Sequence, residues 1–347
     1  MTLKKNVYVV FTEYQFLQAL NIATSVYNSS TFINSIYLLR NGKRLQGIDP
    51  NKIFGIDNIK VHLIDFESPK KFIDLIFKEK PNHFLFFQSI SAINIYMAYT
   101  LSKKGVEISL GPDGYGTYTN FNKKHHFLSI IKDSFKENYY LFKNNLFHGK
   151  IHQFDYYTYG YHKFINNLWI THPDQFVHQS KNKVNILKLP EFNKKCIEFI
   201  SSCFNFNFDF PKEDVIYFFN QPLWSALAEK EYQFLREVVA NFPEKNIIIK
   251  LHPLTDVKTK FKYQQIERVQ IIESQVPAEV LLISLNNCIV FSGWSTALIT
   301  ENTKCNYYFN YPIYKHLEDS ILSQINIPAL HHIKMIASPQ EMKFPNE

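Results

Sequence analysis

Cysteine is scarce and unpatterned in this chain of 347 residues: four occur, Cys196, Cys203, Cys288 and Cys305, with no CxxC pair and no histidine cluster beside them. That spacing suggests neither a zinc site nor a disulfide framework, and it fits a reducing compartment. Long uninterrupted apolar runs are also missing. The best membrane candidate, HFLFFQSISAINIYMAYTL at 83–101, is broken by Gln88, Ser89, Ser91 and Asn94, so a soluble chain is expected. The opening MTLKKNVYVVFTEYQ has only a short apolar run before Thr12 and Glu13, and reads as a first strand rather than a leader. The net charge of +7 comes from dispersed lysine pairs such as Lys70-Lys71 and Lys103-Lys104, not from a continuous basic stripe. That argues against nucleic acid and leaves anionic sugars, nucleotide phosphates or an acidic membrane face as partners.

What the chain does have is core-forming bulk: 46% hydrophobic against 20% charged residues, with 32 Phe and 21 Tyr. Its length suits two domains of roughly 150 to 180 residues each. Apolar runs alternate with helical spacing. NVYVVF (6–11), SIYLLR (35–40), KVHLIDF (60–66), HFLFFQ (83–88) and VEISLG (106–111) predict the strands of a first unit. Helices are expected from Tyr14 to about Tyr27, over PKKFIDLIFKEK and at about 90–104. DVIYFFN (214–220), IIIKL (247–251), VQIIE (269–273), CIVFS (288–292) and CNYYFN (305–310) predict a second set of strands. Their helices are expected from Trp224 to about Ala240, at 277–284 and from Ser295. Near-continuous apolar strands separated by helices indicate parallel sheets covered on both faces. The expected architecture is therefore α/β, two doubly wound Rossmann-like domains with a cleft between them. The expected bounds are 1–190 and 211–325, with 326–347 as a C-terminal tail. The aromatic-rich stretch from about 115 to 190 has poor periodicity and predicts an irregular insert.

Open parallel sheets bind ligands at the carboxyl ends of their strands, and polar residues collect there. VEISLG runs into Pro112, Asp113 and Gly114, where a carboxylate on a tight turn can serve as general base, although PDG is also a common turn sequence. IIIKL carries Lys250 and ends in His252-Pro253; VQIIE leads to Pro277 and Glu279 at a helix start. CIVFS leads to Ser292, Gly293, Trp294, Ser295 and Thr296, whose hydroxyls and free N–H groups at a helix start suit an anion. Singly, each residue has an ordinary explanation as a turn, a cap or a helix-dipole partner. Together they put an imidazole, a cation, a carboxylate and two hydroxyls on successive strand ends of one domain.

In order and spacing these motifs resemble those of the bacterial GT-B sialyltransferases and related polysialyltransferases, whose signature is acidic-Asp-Gly, then His-Pro, then a Ser-Ser/Thr pair. Here PDG stands at 112–114, KLHP at 250–253 and GWST at 293–296. PAEVLL at 277–282 resembles the helix whose Glu holds the donor ribose, and TEYQ at 12–15 the first strand-to-helix turn. Two departures stand out. Pro112 replaces the usual acidic residue, leaving Asp113 as the sole base candidate, and Trp294 separates Ser292 from Ser295, making Ser295-Thr296 the pair.

The resemblance implies an inverting, metal-independent bacterial glycosyltransferase. It would move sialic acid or a related nonulosonic acid from a CMP-activated donor to an oligosaccharide acceptor of lipooligosaccharide or capsule. It implies Asp113 as base and His252, as imidazolium, as acid or stabiliser of the leaving phosphate. Ser295 and Thr296 would bind phosphate and Glu279 ribose, with Lys250, Pro253 and Ser292 also on the donor side; Gly114, Glu13 and Gln15 fall on the acceptor side. No cofactor or metal is implied, and the chain contains no Asp-x-Asp. A cytoplasmic location is expected, with peripheral attachment to the inner membrane hinted at by the basic balance alone. Two alternatives stay open on the same scaffold: a CDP-glycerol-type glycerophosphotransferase, which shares a KxHP-like motif, and a non-catalytic glycan-binding or capsule-assembly protein.

Overall fold

The computed structural model of the chain describes residues 3–40, 44–53, 56–88, 91–118, 120–121, 126–146, 149–155, 159–176, 184–222, 225–314, 325–326 and 330–346. They form two compact units, Met1–Cys203 and Phe204–Glu347.

The first unit is built on a seven-stranded parallel sheet. Its strands β1 (Lys4–Val10), β2 (Phe32–Arg40), β3 (Ile59–Asp65), β4 (His83–Phe86) and β5 (Glu107–Leu110) lie in the order β3-β2-β1-β4-β5, followed by Asn167–Ile170 and Asn185–Lys188. Val7 to Val10 and Phe84 to Phe86 are fully buried, as expected of strands covered on both faces. The helices are α1 (Glu13–Ser25), α2 (Pro69–Lys78), α3 (Ala92–Ser102), α4 (His126–Lys143) and α5 (Lys194–Cys203). The most membrane-like stretch of the sequence turns out to be β4 plus α3, a largely buried helix of 11 residues, half the length a bilayer requires. Among the described residues, no helix is long and apolar enough to cross a membrane.

Two expectations need correction here. The irregular insert contains an 18-residue helix and two strands of the main sheet. Strands of four residues are too short to display a period, and Asn side chains secure them: the Asn166 carbonyl accepts from Ile108 N–H at 2.8 Å, and Asn167 Nδ2 donates to Glu107 at 2.7 Å. Parts of that stretch, 119, 122–125, 147–148, 156–158 and 177–183, lie outside the described residues. The first unit also extends past 190, because α5 packs on α1. Phe199 meets Phe16 edge-on at 6.4 Å, and Asn193 donates to Thr24 and Ser25 at 2.8 Å.

The second unit repeats the plan with a six-stranded parallel sheet, in the order Val269–Ile272, Ile247–Lys250, Ile216–Phe219, Cys288–Ser292, Cys305–Phe309 and Ile333–Met335. Its helices are α6 (Ser225–Asn241), α7 (Val257–Gln264) and α8 (Ala278–Leu282). The expected helix start at Trp224 lies outside the described residues. The described part of the expected tail, 326–347, is not a tail: Ile333–Met335 is the last strand of the sheet, and Ile336, Met342 and Phe344 join its core. The expected helix from Ser295 is a single 3-10 turn, Thr296–Ile299. In both sheets the strand order reverses beside the first strand, at β1/β4 and at Ile216–Phe219/Cys288–Ser292, and ligand sites of doubly wound sheets lie at such points.

Candidate functional site

In the first unit the polar centre is Asp113, on the turn after β5. Gly114 takes φ +82, a left-handed conformation that opens the turn, and the Thr117 hydroxyl accepts the Asp113 N–H at 3.3 Å. Upstream, a Cβ on Gly111 would come within 2.4 Å of the Phe87 ring, so the chain leaves β5 along a path that only glycine fits. Gln15 fixes the carboxylate. Its Oε1 accepts from Phe11 N–H at 2.8 Å, which settles the amide orientation and turns Nε2 onto Asp113 Oδ1 at 2.7 Å. Thr12 starts α1 by accepting the Gln15 N–H, so the TEYQ turn is what delivers this amide. Although Asp113 is only partly buried, loss of hydration pushes its carboxyl up to about 6, against the opposing pull of the Gln15 hydrogen bond and the Arg44 charge. Glu13, expected on the acceptor side, turns inward. It is buried, accepts from Leu45 N–H at 2.7 Å, and sits 3.6 Å from the Arg44 guanidinium, pinning the loop after β2.

In the second unit the predicted residues divide into two groups. Lys250 and Ser292 face inward. Lys250 is buried and its ammonium donates to the carbonyls of Leu251, at 3.2 Å, and Ser274, tying the end of its strand to the loop before α8. Ser292 is fully buried; its hydroxyl donates to Phe219 O at 2.7 Å and accepts from Ser295 N–H at 3.1 Å. Both therefore shape the loops from behind, which corrects their expected place among donor contacts. His252, Pro253, Ser295 and Thr296 keep partial exposure. The His252 Nδ1 accepts from Leu254 N–H at 3.1 Å, so the neutral ring carries its proton on Nε2. An imidazolium is thus not required for His252 to donate a hydrogen bond. Ser295 caps its turn by accepting from Ala297 N–H at 3.3 Å. With only a four-residue 3-10 turn behind it, an anion here would be held by individual N–H and hydroxyl groups rather than by a helix dipole. Glu279 is buried in the first turn of α8; burial pushes its carboxyl up to about 7, against its own N–H and the Lys250 charge.

The sequence reading missed the network that joins these loops. Thr255 closes the His252 turn, its N–H donating to His252 O at 2.9 Å, while its hydroxyl donates to Asn220 Oδ1. Asn220 Nδ2 donates to Glu231 at 2.8 Å and to the Tyr263 oxygen at 3.1 Å. The Tyr263 hydroxyl donates to Glu231 at 2.5 Å, and that of Tyr314 lies 3.5 Å from the other carboxylate oxygen. Tyr314 also backs the second loop: its ring stands edge-on to Trp294 at 5.6 Å and would lie 3.3 Å from a Cβ on Gly293. The signal was present. Glu231 falls in the apolar register of α6, in step with Leu227, Phe234, Leu235 and Val238, and a lone carboxylate there needs partners.

Burial pushes the Glu231 carboxyl up from its ordinary 4.5 to about 7, although Tyr263, Asn220, Tyr314 and the Gln221 N–H all favour the charged form. The unfolded chain ionises first, so this stabilisation is complete below about 4.5 and is lost as pH rises through about 7. Urea unfolding across that window should show the second unit losing on the order of 2–3 kcal/mol from this group. Glu231→Gln should flatten the slope, and an unchanged profile in the variant would contradict the assignment. Among the described residues, the one group of three side chains with metal-ligating chemistry, Glu301, His331 and His332, includes none of these residues.

Two parallel α/β units with polar residues gathered at the carboxyl ends of their strands give the chain the GT-B architecture. At low identity several solved structures share this fold. The sialyltransferase from Photobacterium damsela has a TM-score of 0.56 at 12% identity, over 97% of this chain and 82% of that one. The 2,6-sialyltransferase of Photobacterium sp. JT-ISH-224, solved with CMP and lactose, has a TM-score of 0.54 at 15% identity, over 96% and 78%. S. aureus MnaA with UDP has a TM-score of 0.53 at 10% identity, over 92% and 89%. No curated protein sequence matches the chain. The family model of the alpha-2,8-polysialyltransferases matches residues 3–309, and the chain belongs to that family. It is accordingly an enzyme of sialyltransferase type.

Proposed function

We propose that the chain transfers sialic acid or a related nonulosonic acid from its CMP-activated form to a glycan acceptor of the cell surface, with inversion and without a divalent metal. The observation that carries this reading is Asp113, a carboxyl raised to about 6 and held through one oxygen by Gln15 at a strand end of the first sheet. Its Oδ2 takes the proton of the acceptor hydroxyl as that oxygen attacks the anomeric carbon. The bond from that carbon to the CMP phosphate oxygen breaks on the opposite face, and the electron pair leaves with the phosphate. His252 Nε2–H donates to that phosphate, with Ser295 and Thr296 beside it and Glu279 on the ribose. Pro253 ends the strand so that the ring stands at its edge, and Gly114 supplies the turn that presents Asp113. Lys250, Ser292 and Gln15 act as positioning residues behind these groups. The work would be done in the cytoplasm, where CMP-activated sugars are substrates.

Purified enzyme with CMP-N-acetylneuraminic acid and a sialylated oligosaccharide should release CMP and extend the acceptor, equally with and without EDTA. Turnover only with CDP-glycerol, or complete loss in EDTA, would overturn the proposal.

A further inference from the structure

Helix α4 turns a stripe of large apolar side chains outward. Leu128, Ile131, Phe135, Tyr139 and Phe142 recur at steps of three and four, which is one face of a helix. Leu128 is 78% exposed, Phe135 76% and Phe142 65%. The adjoining face, with Asn138 and Leu141 buried, holds the helix to the rest of the first unit. Asn138 donates to His152 O at 2.6 Å and accepts from His152 N–H at 2.9 Å, and Ser134 accepts from Phe154 N–H at 2.8 Å. This clasp lays the segment 151–154 along the helix and leaves Ile151, 75% exposed, beside the stripe. Together they line a mostly apolar groove of about 680 Å³ with Ile131, Phe135, Phe142 and Ile151 among its walls.

The charges around the stripe are ordered. At about 100° per residue, Lys132, Lys136 and Lys143 fall together along one flank, while Asp133 and Glu137 fall farther round, away from the apolar face. Lys150 precedes Ile151. We propose that this ledge docks the enzyme on an anionic lipid bilayer, with the apolar stripe at the boundary of headgroups and acyl chains and the lysines among lipid phosphates. Charge complementarity selects this occupant. An antiparallel two-fold pairing of the stripe with a second copy would bring the two lysine flanks toward each other, whereas an anionic surface meets apolar stripe and lysines at once. The proposal does not depend on which sugar the enzyme transfers.

Flotation of the full chain with vesicles tests it. Protein should float with phosphatidylcholine vesicles containing phosphatidylglycerol, should stay behind with phosphatidylcholine alone, and should be released by high salt. Phe135→Asp should lower the bound fraction about tenfold or more, and Lys132→Gln and Lys136→Gln about fivefold each. All three are surface changes, so transfer to a soluble acceptor should be unaffected, which shows that the fold survives. Absence of flotation on the anionic vesicles, or binding indifferent to both kinds of variant, would overturn the proposal. So would self-association through the stripe, seen in sedimentation and abolished by Phe135→Asp, without vesicle binding.

Discussion

Asp113→Asn should lower kcat about a thousandfold while leaving the KM for the donor within about twofold, because the amide keeps the shape of the carboxylate and loses only the ability to accept a proton. The turn itself should stand, since its anchor is the Asp113 main-chain N–H on Thr117, and an Asn carbonyl can still accept from Gln15 Nε2. The wild-type profile supplies a second readout. A base raised to about 6 must be ionised to act, so kcat/KM should fall about tenfold per pH unit below that value and level off above it. Gln15→Leu removes a hydrogen bond that favours the ionised form, so its profile should move to higher pH without losing the plateau. Arg44→Ala should shift it the same way, by a smaller amount, because Arg44 acts only through its charge. Full turnover in Asp113→Asn, or an acid limb untouched in Gln15→Leu, would remove Asp113 from the chemistry.

How much of this was legible depended on whether a residue's surroundings are local in sequence. The strands at the centre of both sheets, such as Val7 to Val10 and Ile247 to Ile249, announce themselves, because burial on both faces requires an unbroken apolar run. The flanking strands Asn167–Ile170 and Ile333–Met335 do not. Each is three or four residues long, and its pairing is decided by a neighbour far away in the chain. Helix α4 escaped for a different reason: its apolar residues lie outward, so a reading that equates apolar spacing with a core finds no home for them.

At the site, position was readable and orientation was not. His252, Asp113 and Ser295 stand just past strand ends, and Glu279 in the first turn of the helix that follows one, where the strand pattern puts them. Whether a polar side chain faces a substrate or the protein's own carbonyls depends on loop geometry that no spacing encodes. Lys250 and Ser292 look like ligands in sequence and are clamps in the structure, and Glu13 holds a loop. Conversely, Asn220 and Glu231 sit 11 residues apart and both meet Tyr263 in α7, while Tyr314, far along the chain, approaches Glu231, a set no linear motif would collect.

The His252 tautomer sets up the second large expected effect. Because Nδ1 accepts from Leu254 N–H, the two ring nitrogens have separate duties in the proposed reaction, one inside the turn and one toward the phosphate. Asn and Gln can tell them apart. An Asn side chain reaches about as far as Nδ1, so His252→Asn can keep the Leu254 hydrogen bond and still lack a donor at the Nε2 position. It should lower kcat between about a hundredfold and a thousandfold, the scale of losing one donor to a developing anion, with little change in melting temperature. Gln reaches to about Nε2 and can donate there, so His252→Gln should recover part of the rate even though its turn is less well supported. The pH profiles add a further discrimination. If neutral Nε2–H is the donor, the Gln variant should show the same acid limb near 6 as the wild type, since Asp113 alone sets it. If an imidazolium were required, the wild type would lose activity on the alkaline side of histidine titration, and the Gln variant would not. Equal losses in Asn and Gln, with an alkaline limb in the wild type, would return His252 to the role of a general acid. A plateau through neutral pH and a faster Gln variant would fix it as a neutral donor held in place by the turn that Thr255 and Asn220 anchor.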